Sequence, residues 1–239
     1  MSQVAVTTTP QREQWRRLQR PSLWLRLTVQ LKLWRQRWTT ILSFYHNWRF
    51  ACADILLGLI ALFDNPYRRT RKFFYRQRRH SVPYGETPLN TLCEAIRRAG
   101  WHSGQTIAEL GCGTGRTSFW LAIHLRAHVH AIDCQQALTR RAGRIAWLLR
   151  IKRIHFRCAD LRLTDLSGCS AAYFYCSGFP DDLLRRITQT LMTLPKGAKL
   201  ITVSQSVRDW SPLAPFEVID SWRAEFPWGE ATLFLQQRR

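Results

Sequence analysis

The segment Thr106–Arg116, TIAELGCGTGR, constrains this chain more than any other stretch. A short β-branched run ends on Glu109 and passes into a turn with glycines at alternate positions, Gly111, Gly113 and Gly115. Phe119, Trp120, Ala122 and Ile123 then predict a helix. Alternate glycines let the backbone turn sharply without a Cβ clash and let a ligand press on bare peptide groups. A strand feeding such a turn and a helix N-terminus makes a nucleotide-type pocket, where N–H groups converge on the ligand. A second acidic strand end, Val129–Asp133, supports this reading. Asp133 falls about 20 residues past the turn, where a carboxylate can accept hydrogen bonds from ribose hydroxyls.

Glu109–Gly115 resembles motif I of the class I S-adenosylmethionine-dependent methyltransferases, and Asp133 resembles their ribose-binding acid. Ala159-Asp160-Leu161, after the strand-like Ile154–Arg157, is similar to the motif that holds adenine. A dinucleotide site fits less well, because the third glycine of G-x-G-x-x-G would fall on Arg116. The likeness covers about residues 84–239. It implies S-adenosyl-L-methionine as cofactor, with Glu109, Gly111, Cys112, Gly113, Gly115, Asp133, Asp160 and Leu161 around it. Val82–Pro88 looks like the segment that approaches the cofactor in small lysine methyltransferases related to histone H3 lysine-79 enzymes, some of them membrane-tethered. Tyr173-Phe174-Tyr175 followed by Phe179-Pro180 is similar to their fourth-strand region. That likeness implies that Tyr84, Glu86 and Thr87 border the cofactor. Tyr84 and Tyr175 are the candidate catalytic residues, and the acceptor is expected to be a macromolecule, a protein amine ahead of RNA held by the basic arm; a non-catalytic cofactor-binding module is the other alternative. Neither an Asn-Pro-Pro-Tyr-like motif nor a Pro-Cys nucleophile context is present, so Cys176 reads as a core thiol.

With 239 residues the chain can build one full α/β domain plus an extension. Its seven cysteines are scattered, with no C-x-x-C pair and no His cluster at ligand spacing. They read as thiols of a reducing compartment, with no metal site. Met1–Pro10 is polar and shows no secretory leader pattern, so a cytoplasmic location is expected.

Charge is distributed unevenly. Residues 1–80 hold sixteen of the Lys and Arg against three acids, Glu13, Asp54 and Asp64, leaving +13 of the net +20 in the first third. Such asymmetry points to an anionic partner, a membrane surface or nucleic acid. From Pro21 to about Phe50 the residues Trp24, Leu27, Leu31, Trp34, Trp38, Ile41, Tyr45 and Trp48 recur at steps of three and four, predicting one continuous helical stripe. A Trp-rich stripe on a basic helix suits an interfacial membrane helix, and packing onto the rest of the chain would produce the same spacing. The apolar run Ile55–Phe63 is shorter than the roughly 20 residues of a membrane span. Seven basic residues between Arg68 and Arg79, interleaved with Phe73, Phe74 and Tyr75, suit lipid headgroups or a phosphate backbone. Peripheral attachment to the inner membrane surface is the expectation.

Beyond residue 80 strands and helices alternate, as in a parallel α/β sheet. The reading is a disordered basic tail over 1–20, a helical Trp-rich extension over 21–80, and a Rossmann-like methyltransferase domain over 81–239. Thr87–Ala99 predicts a lead-in helix stopped by Gly100. Strands are predicted to end at Glu109 and Asp133 and to cover 154–157, 171–175 and 199–204. A closing hairpin of 216–222 and 231–236 completes a seven-stranded sheet.

Overall fold

The computed structural model describes residues 23–76 and 84–239, so the predicted tail, Val82, Pro83, Arg78 and Arg79 lie outside the described residues. Seven strands form a single sheet: β1 Thr106–Leu110, β2 His128–Asp133, β3 Ile154–Cys158, β4 Ala171–Phe174, β5 Lys199–Val203, β6 Phe216–Phe226 and β7 Gly229–Arg238. Their order is β3-β2-β1-β4-β5-β7-β6. The first five pair in parallel, and β7 runs antiparallel to both β5 and β6. The order reverses between β1 and β4, which opens a crevice beyond their C-terminal ends.

The helices in chain order are α1 Leu23–Phe44, α2 Trp48–Phe63, α3 Pro66–Arg76, α4 Leu89–Ala99, α5 Arg116–Ile123, α6 Gln136–Leu148, α7 Asp181–Leu191 and α8 Val207–Trp210. The predicted continuous helix over 21–50 is interrupted. Asn47 adopts an extended conformation, and its side chain accepts from the Arg49 and Phe50 N–H groups, starting α2 afresh. A short polar side chain satisfying orphan amides overrides an apolar periodicity that runs straight through the break. The lead-in helix begins at Leu89 rather than Thr87, with Pro88 at its N-cap and Gly100 in the left-handed region at its end. β6 runs four residues beyond its expected end and β7 two residues beyond each of its ends, because the pairing of the two strands continues to Phe226 opposite Gly229 and to Phe216 opposite Arg238.

Successive residues of β1 point to opposite faces of the sheet. Ile107 joins one core with Leu92, Phe119 and Ile145; Ala108 and Leu110 join another with Leu184, Ile187 and Trp210. Phe44, Phe50, Ala53 and Leu57 belong to the first core, so the end of α1 and the inner face of α2 are built into the globule. Phe44 meets Trp120 edge-on at 5.7 Å between centroids. Burying each such side chain contributes about 1.5–3 kcal/mol. At the polar edge of this contact, Arg116 grips Asp54 through Nε (2.6 Å) and Nη2 (3.2 Å), and the Tyr45 hydroxyl donates to the same carboxylate at 2.9 Å. The helix that follows the glycine turn is therefore anchored to α2.

Candidate active site

Gly111, Gly113 and Gly115 all have positive φ, at 77°, 54° and 84°. Gly111 and Gly113 border a cleft of about 400 Å³ at the C-terminal edge of the sheet, with Asp133, Asp160 and Leu161 on the same wall. Three sequence-predicted positions, Asp133, Asp160 and Leu161, therefore meet the glycine turn at one cavity. Gly115 serves the packing behind it: a Cβ there would stand 2.6 Å from the Phe156 ring and 3.2 Å from Ala142.

Asp133 is buried and accepts from the Gly113 N–H at 2.9 Å and from the Gln135 N–H at 2.8 Å. Burial raises its pKa, and those two amide bonds oppose the rise. Asp160 caps the 3-10 turn Leu161–Leu163 by accepting from the Arg162 N–H, and it is also paired with the Arg162 guanidinium. Gln135 completes this wall. Its Nε2 donates to Thr70 Oγ1 at 2.9 Å, while its buried Oε1 has no hydrogen-bond partner. An orphaned acceptor beside Asp133 calls for a donor from a bound molecule. Ribose hydroxyls or an adenine amino group supply one, so the residues present fit S-adenosylmethionine.

Three expected cofactor contacts, Glu109, Cys112 and Thr87, are not among the residues that line this cleft. Glu109 points under the turn, away from the cleft, where it is buried and hydrogen-bonded to the Ser118 hydroxyl of α5. Its strand alternation decides this, since Glu109 shares the face of Ile107. Burial pushes its pKa up to about 8, against the Ser118 and Thr117 bonds that oppose the shift. Cys112 is likewise buried beneath the turn, and burial holds its thiol well above the usual range. Thr87 is also buried, sharing a hydrogen bond with the Tyr173 hydroxyl at 2.5 Å.

The other side of the cleft is aromatic: Phe74, Tyr84, Tyr175 and Phe179 line it. The Tyr84 hydroxyl donates to Glu86 Oε1 at 2.6 Å and accepts from the Thr114 N–H at 3.4 Å, and the Thr114 hydroxyl donates to the same carboxylate at 3.1 Å. This triangle ties the 84–86 segment to the glycine turn. Burial, then Glu86, raise Tyr84 well above the ordinary phenol. Tyr175 is raised by burial too, and its oxygen accepts from Trp228 Nε1 at 2.7 Å. Both candidate catalytic residues keep their protons at neutral pH. Gly85 lies against Tyr175 so closely that a Cβ would stand 2.4 Å from the hydroxyl oxygen. Cys176 is wholly buried, donates to the Val203 carbonyl at 3.0 Å, and is pushed by burial to about 12, in keeping with a core thiol. Among the described residues no group of His, Cys, Asp and Glu is placed to hold a metal ion.

Sequence reasoning missed Thr70, Phe74 and Gln135 as cleft residues. Tyr67, Thr70 and Phe74 are spaced by three and four in α3, a stripe that the surrounding arginines disguise. Trp228, whose indole N–H reaches the Tyr175 oxygen, was missed as well.

Glycines at the end of β1, acids at the ends of β2 and β3, and the 3-2-1-4-5-7-6 sheet define a class I S-adenosylmethionine-dependent methyltransferase domain. Residues 107–194 match the family model described as a methyltransferase domain. Its fold is similar to that of TrmN from Thermus thermophilus, with a TM-score of 0.55 and 15% identity over 62% of this chain and 48% of that one. The match thus spans about half the length of TrmN. An RNA methyltransferase from Salinibacter ruber, in complex with S-adenosyl-L-homocysteine, is similar at a TM-score of 0.51 and 17% identity, over 63% and 91% of the two chains. A mutant of MtNAS in complex with S-adenosylmethionine gives 0.54 and 13% identity over 84% and 77%. At such identities these likenesses establish the fold and leave the acceptor open. No curated protein matches the sequence.

Proposed function

We propose that this protein binds S-adenosylmethionine in the cleft and transfers its methyl group to a protein side-chain amine. The observation that carries the reading is the convergence of Gly111, Gly113, Asp133 and Asp160 on one cavity whose opposite wall is aromatic. Bound there, the cofactor supplies an electrophilic sulfonium methyl. Gly111 and Gly113 would admit its methionine portion, Asp133 and Gln135 its ribose, and Asp160 and Leu161 its adenine. The chain's task is then to align an acceptor and keep water out. Phe74, Tyr84, Tyr175 and Phe179 offer π faces that favour a cationic or amine group. Tyr84 and Tyr175 orient and screen with intact hydroxyls and take no proton. All seven cysteines are free, which supports a reducing, cytoplasmic setting.

RNA is the second reading. The basic residues of α3 favour it, as does the similarity to an RNA methyltransferase from Salinibacter ruber. Labelled methyl-S-adenosylmethionine, incubated with the full chain and a lysate split into protein and RNA fractions, decides between them. Label in protein that disappears with Asp133→Ala supports the amine reading. Label confined to RNA replaces it, and label in neither fraction counts against methyl transfer to a macromolecule.

A further inference from the structure

Helix α3 is a wall with two occupied sides. Thr70 and Phe74 face the cofactor cleft, and Tyr67 packs edge-on against Tyr84 at 4.9 Å. On the adjacent face Arg68, Arg69, Lys72 and Arg76 line a second cavity, of about 670 Å³, between the end of α2 and the start of α6. Gln135 borders both cavities. Asp64 is paired with Arg69 and Arg141, and Arg69 first, then Arg141, hold its pKa below the usual range. Among the described residues, Arg68, Lys72 and Arg76 have no carboxylate partner, and all three are exposed. The groove therefore carries unneutralised positive charge.

Its lip is apolar. Leu62 is 78% exposed and Phe63 92%, and Ile55 and Leu59 continue the same exposed stripe along α2. The opposite face of α2, with Phe50, Ala53 and Leu57, is the one buried in the core. Among the described residues no single helix is long and apolar enough to cross a membrane, and α2 and α3 meet at a bend of 59°. An apolar elbow beside a cationic groove is the chemistry of a bilayer boundary, where acyl chains lie just beneath anionic headgroups. A nucleic-acid clamp would use the cations but has no use for exposed aliphatic side chains at 55, 59 and 62, which cannot stack on bases.

We propose that the α2–α3 elbow docks this protein on an anionic phospholipid surface. Headgroup phosphates would occupy the groove of Arg68, Lys72 and Arg76, and Leu62 and Phe63 would enter the upper acyl layer. Because α3 and Gln135 are shared, headgroups in the groove hold the wall that closes the cofactor cleft. This last consequence rests on the methyltransferase reading, whereas the docking does not.

The full chain should co-sediment with vesicles of mixed phosphatidylglycerol and phosphatidylcholine far better than with pure phosphatidylcholine, with no cofactor present. Arg68→Gln with Lys72→Gln should weaken that binding about 30-fold, since each cation near such a surface contributes about 1 kcal/mol, or about fivefold. Leu62→Ser with Phe63→Ser should weaken it as well, and both double variants should melt like the wild type because all four side chains are exposed. Equal retention on neutral vesicles overturns the proposal. So does full vesicle binding by the Leu62/Phe63 variant, or a labelled RNA that binds more tightly than vesicles and ignores that variant. A separate calorimetric titration with S-adenosylmethionine should show tighter binding when anionic vesicles are present. Failure of cofactor binding with vesicle retention intact removes the methyltransferase reading and leaves the docking standing.

Discussion

The ring of Tyr84 lies where a side chain on Gly113 would have to be, for a Cβ there would stand 2.8 Å from Tyr84 Cε2. Gly113 also holds a φ of 54°, and its N–H donates to Asp133. One position thus joins the 84–86 segment, the turn and the acid of β2. Gly113→Ala should displace Tyr84 and weaken S-adenosylmethionine binding about 5- to 150-fold, the equivalent of the roughly 1–3 kcal/mol cost of backbone strain at such positions. Calorimetry on protein with wild-type circular dichroism checks it, and unchanged affinity would argue against Tyr84 closing the cleft.

Asp133→Asn keeps the shape of the side chain but removes the charge that two amides and a ribose would share. Hydrogen bonds to charged groups contribute about 1.5–3 kcal/mol, so cofactor affinity should fall about 10- to 100-fold. The same titration with Asp160→Asn should show a smaller loss, because Arg162 already engages that carboxylate.

Glu109 makes a prediction about pH. Its native pKa of about 8 exceeds its ordinary 4.5, so between these values the native chain holds a proton that the unfolded chain has released. Its contribution is complete below the ordinary value and is lost as pH rises through the native one, by about 1.4 kcal/mol per pH unit. Glu109→Gln should gain stability over the wild type as pH is raised across that window. Parallel melting curves for the two proteins at every pH would mean that Glu109 is charged in the native state.

Asp54 tests the anchoring of the extension. Asp54→Ala leaves Arg116 without its partner at a site where both side chains are mostly covered. Discounted for partial exposure from the roughly 3–5 kcal/mol of a fully buried pair, a loss of about 2 kcal/mol is expected. Urea unfolding measures it, and limited proteolysis should cut the α1–α2 region faster. A proteolysis rate equal to the wild type would show that Phe44, Phe50 and Leu57 suffice to hold α2.

The seven strands, the glycine turn and the two acids at strand ends were legible because each rests on short-range chemistry: glycines where φ is positive, carboxylates at strand ends, alternation along strands. That Glu109 lies beneath the turn, against Ser118, was not legible, because a motif does not say which face of β1 each residue takes; Ile107 two positions earlier, buried on the same side, does. The break at Asn47 was hidden because apolar spacing continues across it and a cap needs only one side chain. Thr70, Phe74 and Gln135 were hidden for a different reason. Their role depends on α3 folding back from a distant part of the chain, and nothing local in an arginine-rich stretch announces that.

The two-sided use of α3 leaves it no freedom of register. An α-helix advances about 100° per residue. One residue inserted between Asn65 and Thr70 would turn the following face by that angle and carry an arginine into the position Thr70 now holds against Gln135. The length of the Asp64-Asn65-Pro66 corner is therefore as much a determinant of the cofactor cleft as any residue that lines it.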